Sequence, residues 1–425
     1  MTTPMLPVLI AGAGPVGCFI AYRLGKAGVP VQIFEKEAEL PYSPRAVGYY
    51  GATQNVFQDA GLYELIRSEG FVTTGLCWRQ LPTPNSEGGK SLGRMIAHQP
   101  LCAPGDTVRA CPSGLLNLRQ SELTKLLLRE ALATGNVSVS FSREVTSIEQ
   151  KDDCVHIGLN DSPELHVTGS YLVGADGGKS RVRKILGTPC LGHTWPERLI
   201  STDVHLYNEV DPVYHTMYIM DTKNYTIMTP LTEPKVGQRS LWRCTIAIPP
   251  EDERTDDELA QEAAIQDLYE QVVPGPRPLQ AEISTKTVYR IHQRLVTTMR
   301  KGRCVLAGDA AHLNNPYGAM GLNTGLLDGD ALAEALLMVL QEGKSEELLT
   351  IYSDERRRVY QKFVDPTTTA NKLRLHSPNA EAAAADDEYF RTLQNPTPEV
   401  LAELAKPYFE IWRTDMRALA EKFGL

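Results

Sequence analysis

The sequence predicts an α/β fold: a doubly wound dinucleotide-binding domain that carries an inserted antiparallel sheet and ends in helices. Three observations predict it. A strand, glycine turn, helix and second strand follow one another in residues 8–35. Two later apolar strands stop at an aspartate, Asp176 and Asp309, and four segments between residues 200 and 248 are rich in β-branched and aromatic residues.

Composition sets the frame. The chain has 425 residues, 42% of them hydrophobic and 22% charged, enough for two domains with real cores. A net charge of −9 without a basic block argues against nucleic acid as a partner. The run Arg356-Arg357-Arg358 follows Asp354 and Glu355 and reads as a solvated helix face. Eight cysteines are scattered without a C-x-x-C pair or a zinc spacing, which points to a reduced, cytoplasmic setting and no metal site. The first apolar run lacks a basic leader and is broken by glycines, and no later stretch suits a bilayer span.

The first unit reads VLIAGAGPVGCFIAYRLGKAGVPVQIFE. Gly12, Gly14 and Gly17 form G-x-G-x-x-G: one glycine for the tight turn, one for backbone approach to a pyrophosphate, one for close helix packing. The helix N-terminus offers free N–H groups and partial positive charge to phosphates. Glu35 ends the second strand, placed to accept hydrogen bonds from an adenosine ribose. Glu rather than Arg there suits an unphosphorylated ribose, hence FAD or NAD as the fixed dinucleotide.

Residues 171–187, YLVGADGGKSRVRKILG, give a second strand end with Asp176, followed by Ser180-Arg181 entering a helix. Residues 302–325, GRCVLAGDAAHLNNPYGAMGLNTG, repeat that grammar around Asp309. The three motifs in this order resemble the FAD-dependent aromatic hydroxylases, the class A flavoprotein monooxygenases related to p-hydroxybenzoate and salicylate hydroxylases. The resemblance covers about residues 5–360. It implies a Rossmann-like FAD-binding domain (1–72, 113–190 and 290–360), an inserted antiparallel-sheet substrate domain (73–112 and 191–289) and a C-terminal helical segment, 361–425.

By matching positions, the resemblance assigns further FAD contacts. Asp309 corresponds to the aspartate on a ribitol hydroxyl. PYGAMGLN matches a turn whose backbone faces the flavin pyrimidine, which nominates Gly321, Leu322 and Asn323. Ala319 stands where a glycine is commoner. Asp176 corresponds to the aspartate serving FAD and the passing nicotinamide cofactor, Arg45 and Gly48 lie near the flavin, and Arg119 contacts the phosphates. His312 reads as a structural cap.

The strand-like segments are 200–207, 213–220, 224–229 and 240–248, with an acidic helical cover at 252–273, a loop at 82–91 and a final helix at 397–420. In the resembled family NADH or NADPH reduces FAD, O2 adds as a C4a-hydroperoxide, and an electron-rich ring is hydroxylated. Ionising a phenol near pH 7 calls for a cation or base beside it. Arg198, where the inserted sheet begins, and Tyr225 are the catalytic candidates, with His205, His215 and Arg243 behind them. The expected reaction is therefore hydroxylation of a phenolic small molecule. Decarboxylative hydroxylation, epoxidation and Baeyer–Villiger oxidation share the chemistry, and a prenyl-protein chaperone shares the fold without it. The resemblance also allows a homodimer.

Overall fold

A computed structural model describes residues 5–40, 46–101, 114–160, 162–207, 215–235, 237–377, 380–394 and 397–425. Its centre is a six-stranded sheet in the order Val137–Ser140, Val31–Phe34, Val8–Ala11, Tyr171–Gly174, Cys304–Leu306 and Arg300–Lys301. All but the last pairing are parallel. Val8–Ala11 and Tyr171–Gly174 are buried at every position, as a parallel sheet covered on both faces requires. Register matters more for function. Ala11 pairs with both Phe34 and Gly174, and Gly174 with Leu306, so the loops after four strands leave from one carboxyl edge.

A second sheet has eight strands, in the order His312–Leu313, Ala281–Val296, Cys190–Leu206, Ser240–Ile248, Thr226–Pro230, Thr216–Ile219, Gly75–Arg79 and Met95–Pro100. It is antiparallel except where Thr216–Ile219 runs parallel to Gly75–Arg79. Its strands alternate with period two. Ile200, Val204, Trp242, Cys244 and Ile246 pack with Leu259, Ile265 and Leu268 of the acidic helical cover. Leu199, Ala247, Trp78, Tyr218 and Tyr225 pack instead with Tyr317, Leu375 and Phe390. His312–Leu313 joins this sheet through Arg294 and Leu295, which ties the end of the third motif directly to it.

Three expectations change. Residues 82–91 contain a short hairpin, Thr83–Pro84 with Lys90–Ser91, rather than only loop. The final helix is two, Pro398–Glu410 and Met416–Phe423. Arg356 is no solvated residue: its guanidinium is fully buried and donates to Asp328 (2.6 Å) and to the Trp412 carbonyl (2.6 Å). The reason lies in the helix, where one arginine of three consecutive positions turns inward while Arg358 stays exposed.

Asp328 also accepts from Gly308 N (3.0 Å) and His312 Nε2 (2.7 Å). Burial works to raise its carboxyl, but His312 and Arg356 outweigh burial and hold it below the ordinary carboxylate value. Asp328→Asn leaves a buried guanidinium uncompensated and is expected to cost about 3–5 kcal/mol in denaturant unfolding at neutral pH. Because the folded value is depressed, this contribution is full above the ordinary carboxylate value of about 4 and fades as pH falls below it. The gap between wild type and variant should narrow only there, and a gap unchanged from pH 7 to 3 would contradict the assignment.

Candidate active site

The glycine turn is built by contact rather than by flexibility alone. Gly12 has φ +103°, and a Cβ on it would lie 2.5 Å from the Ala175 carbonyl of the second motif. A Cβ on Gly17 would fall 2.1 Å from the Gly12 carbonyl. Gly14 differs, because a Cβ there meets nothing within 4 Å. The helix Pro15–Lys26 starts at Gly14 with no side-chain cap and with Pro15 in its first turn. Its first amides therefore remain open to an anion. Glu35 is buried at the neighbouring strand end, where its carboxylate accepts from Ala13 N (2.8 Å) and Glu37 N (3.0 Å).

The second and third motifs are clamped together. Asp176 accepts from Ser180 Oγ (2.5 Å), Arg181 N (2.6 Å) and Val182 N (3.0 Å), so it shapes its own turn. Arg183 is the residue that sequence reasoning passed over. Its buried guanidinium donates to Gly178 O and Ala310 O, both at 2.8 Å, and bridges the two loops. The signal was available as the terminal Val-Arg of the second motif. Asp309 sits half-buried in the turn Gly308–Ala310.

Asn323 ties the third motif back to the first domain segment. Its Nδ2 donates to Gly48 O (2.9 Å) and Ala319 O (2.8 Å), while its Oδ1 accepts from Tyr50 N (3.1 Å). Gly321 and Leu322 are half-buried beside it. Arg119 caps the helix Gln120–Ala133 next to this segment, since Leu118 N and Gln120 N donate to Val47 O and Ala46 O. Arg45 lies outside the described residues. Ala319 caps the helix Met320–Glu342 in the left-handed region, at φ 53°.

Of the two catalytic candidates, Arg198 lies apart from Tyr225. It shares its face with Ile200, and its guanidinium donates to Asp256 (2.9 Å) and the Asp252 carbonyl (2.9 Å) on the helical-cover side. Period two places its neighbour Glu197 on the opposite, inner face. There Tyr225 OH donates to Glu197 Oε1 (2.7 Å), and Lys372 binds the same oxygen (2.6 Å), with all three buried. Burial pushes the Tyr225 phenol far up. The Glu197 carboxyl, which burial alone would raise, is held below its usual value by Lys372 and Tyr225. Arg243 is a cation on the inner face: it forms a two-pronged pair with Asp203 (2.7 and 2.9 Å). Its Nη1 is buried with no partner among the described residues, and its charge acts on Tyr49 of the 47–49 segment. His205 and His215 stay half-buried.

Beside the 316–323 turn lies a small cavity lined by Leu76, Trp78, Gln99 and Tyr218 of the sheet, by Gly318, and by Tyr389 and Tyr408 of the C-terminal helices. Its volume is about 20 Å³, room for one water. Trp78 stacks on Tyr218 at 5.6 Å, and Phe390 and Tyr389 meet Trp78 edge-on. The Tyr218 phenol, pushed up to about 12 mainly by burial, reaches the Gly318 backbone. A larger open groove of about 320 Å³, lined by His193, Arg294 and Arg357, includes none of the candidate residues above.

The family described as "FAD binding domain" matches residues 5–367. Para-nitrophenol 4-monooxygenase of Pseudomonas sp. (strain WBC-3) is 31% identical over 387 residues, covering 90% of this chain and 91% of that protein. The 6-hydroxy-3-succinoylpyridine 3-monooxygenase of Pseudomonas putida (strain DSM 28022 / S16) is 32% identical over 375 residues, or 87% and 88% of the two chains. Among solved structures, p-nitrophenol 4-monooxygenase from Pseudomonas putida DLL-E4 superposes with a TM-score of 0.83 at 29% identity, over 97% of this chain and 99% of that one. A flavin-dependent monooxygenase solved with FAD and substrate shares the fold at 22% identity and a TM-score of 0.75, over 96% of this chain and 72% of that one.

Two substitutions test this geometry. Arg198→Ala should leave turnover within about twofold of wild type, because its partners lie on the helical cover; a large loss of kcat at normal stability would return it to the active site. Ala319→Gly should raise unfolding stability by about 0.5–1 kcal/mol, the relief of a left-handed alanine less the added unfolded-state freedom of glycine. A fall in stability would mean that the Ala319 methyl packs to advantage.

Proposed function

The chain belongs to the FAD-dependent aromatic hydroxylases, and we propose that its substrate is a small phenol oxygenated in the cavity beside the 316–323 turn. The enzyme is a flavoprotein monooxygenase with FAD as cofactor and NAD(P)H as reductant. Both curated relatives carry the word monooxygenase with a nitrophenol or a hydroxypyridine, hydroxyl-bearing aromatic rings. We assign O2 as the second substrate and the cytosol as the setting. The described cysteines are all free thiols, and no helix among the described residues is long and apolar enough to cross a membrane.

The residues fit the cofactor. Open space at Gly14, an uncapped helix start and a buried Glu35 at the next strand end match a dinucleotide's pyrophosphate and ribose. On this reading Gly12, Gly14, Gly17 and Glu35 hold the adenosine half, with Arg119 beside it. Asp176, Asp309, Gly48, Gly321, Leu322 and Asn323 shape the flavin half. Bound FAD supplies the electron storage and oxygen activation that no side chain can.

The remaining work falls to the chain itself. One observation carries the reading: the aromatic cavity opens at the 316–323 turn, on the sheet face that also presents Tyr225 and Arg243. Trp78, Tyr218, Tyr389 and Tyr408 exclude water and fix a ring's plane. The C-terminal helices have to yield before a ring enters, because the closed cavity holds about one water. Tyr225, hydrogen-bonded to Glu197, holds a proton on the inner face, and Arg243, paired with Asp203, stands on the same face outside the cavity lining.

The test is NAD(P)H oxidation by the purified yellow protein across phenols, with product masses recorded. Stimulated oxidation with gain of one oxygen supports the reading; gain of oxygen with loss of CO2 makes it decarboxylative. A flavin-loaded protein that no phenol stimulates would overturn it. A paired substitution checks the cofactor assignment. Gly14→Ala should leave the fold's stability within about 0.5 kcal/mol but weaken FAD at least about tenfold. Gly17→Ala should instead destabilise the fold by about 1–3 kcal/mol through its clash with the Gly12 carbonyl.

A further inference from the structure

The cavity has two unlike ends. Tyr218 reaches the Gly318 backbone at one end, and Gln99 stands at the other, on the edge strand Met95–Pro100. The strand Gly75–Arg79 separates them, and Tyr218 pairs with its Trp78 while Gln99 pairs with its Leu76, so two strand spacings and a two-residue offset, about 12 Å, divide their backbones. Between them lie Trp78 and Leu76, an apolar floor.

Two side-chain amides line this space, Asn371 and Gln99. Asn371 donates from Nδ2 to Tyr317 O (3.4 Å) and accepts from Arg374 at Oδ1 (2.9 Å). Gln99 accepts from the Tyr389 hydroxyl at Oε1 (2.7 Å). Its Nε2 has no hydrogen-bond partner among the described residues. Nor does a charged side chain of the described residues line the cavity. Arg374 sits behind the Tyr389 ring at 4.4 Å, its guanidinium committed to Asp387.

We propose that Gln99, oriented by Tyr389, sets substrate specificity by donating from Nε2 to an uncharged acceptor group on the ring, across from its hydroxyl. The substrate class is then a phenol bearing a neutral acceptor such as nitro, nitrile or ketone. A carboxylate at that end would be stripped of water with only neutral amide and tyrosine hydroxyl donors and no cation in the lining, which disfavours benzoates. An alkyl group would leave the amide unsatisfied. The proposal rests on the hydroxylase reading for which end takes the phenol oxygen, and on the cavity alone for what Gln99 does.

The experiment measures dissociation constants on the FAD-loaded enzyme without reductant, from quenching of intrinsic tryptophan fluorescence. The probes are 4-nitrophenol, 4-hydroxybenzonitrile, 4-ethylphenol and 4-hydroxybenzoate. Wild type should bind the two acceptor phenols at least tenfold more tightly than the benzoate. Gln99→Leu should weaken the acceptor phenols about 3- to 10-fold, the worth of one neutral hydrogen bond, and leave 4-ethylphenol unchanged or tighter. Gln99→Glu keeps an acceptor for Tyr389 and is the check on folding, with FAD content and melting temperature as readouts; it should weaken the acceptor phenols at least as much. Tyr389→Phe should shift them in the same direction by less. Equal effects on acceptor and alkyl phenols, no effect on either, or no binding of any probe by wild type would overturn the proposal. Product formation is assayed separately, so a protein that shows this discrimination yet oxygenates nothing would refute the hydroxylase reading and leave the role of Gln99 standing.

Discussion

One buried carboxylate sets the frame for the rest of the molecule. Asp328 accepts from the backbone of Gly308, from His312 and from Arg356, all without solvent. Through Gly308 and His312 it fixes the turn that presents Asp309 at the sheet's carboxyl edge. Through Arg356, which also holds the Trp412 carbonyl and Thr414, it fastens the chain's last sixty residues to the same helix. The helices that line the cavity and the loop that carries Asp309 are thereby referred to a single charge. A neutral, well-packed cluster could match its stability. It could not so readily impose the three directions that a carboxylate with four acceptor sites imposes.

The second governing constraint is the alternation of the inserted sheet. A strand buried on both faces, such as Ser240–Ile248, gives no hydrophobic clue to which side faces the chemistry. The flanking contacts decide it. Arg198 and Glu197 are adjacent in sequence, yet one reaches the helical cover and the other the inner face. Arg243 and Asp203 pair across strands on that inner face, and Thr245 meets Ser201 beside them. A cation near a strand's start is therefore no guide to the active site until its parity is known.

Legibility followed the range of the interactions. The glycine turn, Glu35 and the two aspartate strand ends were readable because each is a local pattern whose geometry its own neighbours determine. The parallel register that gathers them at one edge followed from the same motifs. Arg356 was misread because a triplet of arginines looks solvated unless the partner, 28 residues away, is known to be buried. The face that Arg198 takes was not legible because parity depends on pairing partners. Gln99, Tyr218 and Lys372 gave no sequence signal, since each matters only through elements brought together late in the chain. Ala319 was visible as a departure, and its left-handed backbone shows what the departure costs.

This division has a consequence for how the enzyme can change. The cradle proposed for the cofactor is made of backbone, and a Cβ at Gly12 would strike the Ala175 carbonyl while one at Gly17 would strike the Gly12 carbonyl of its own turn, so the cradle resists substitution. The cavity wall is made of side chains from an edge strand, inner strands and C-terminal helices. On the proposed reading, a change at Gln99 or Tyr389 alters what the ring may carry without disturbing the loops assigned to the flavin. Chemistry and selectivity occupy separate parts of the chain, joined through the 316–323 turn. The same turn offers its glycine backbone to the cofactor on the proposed reading and its Gly318 to the cavity, so a substrate is positioned by the element that positions the flavin.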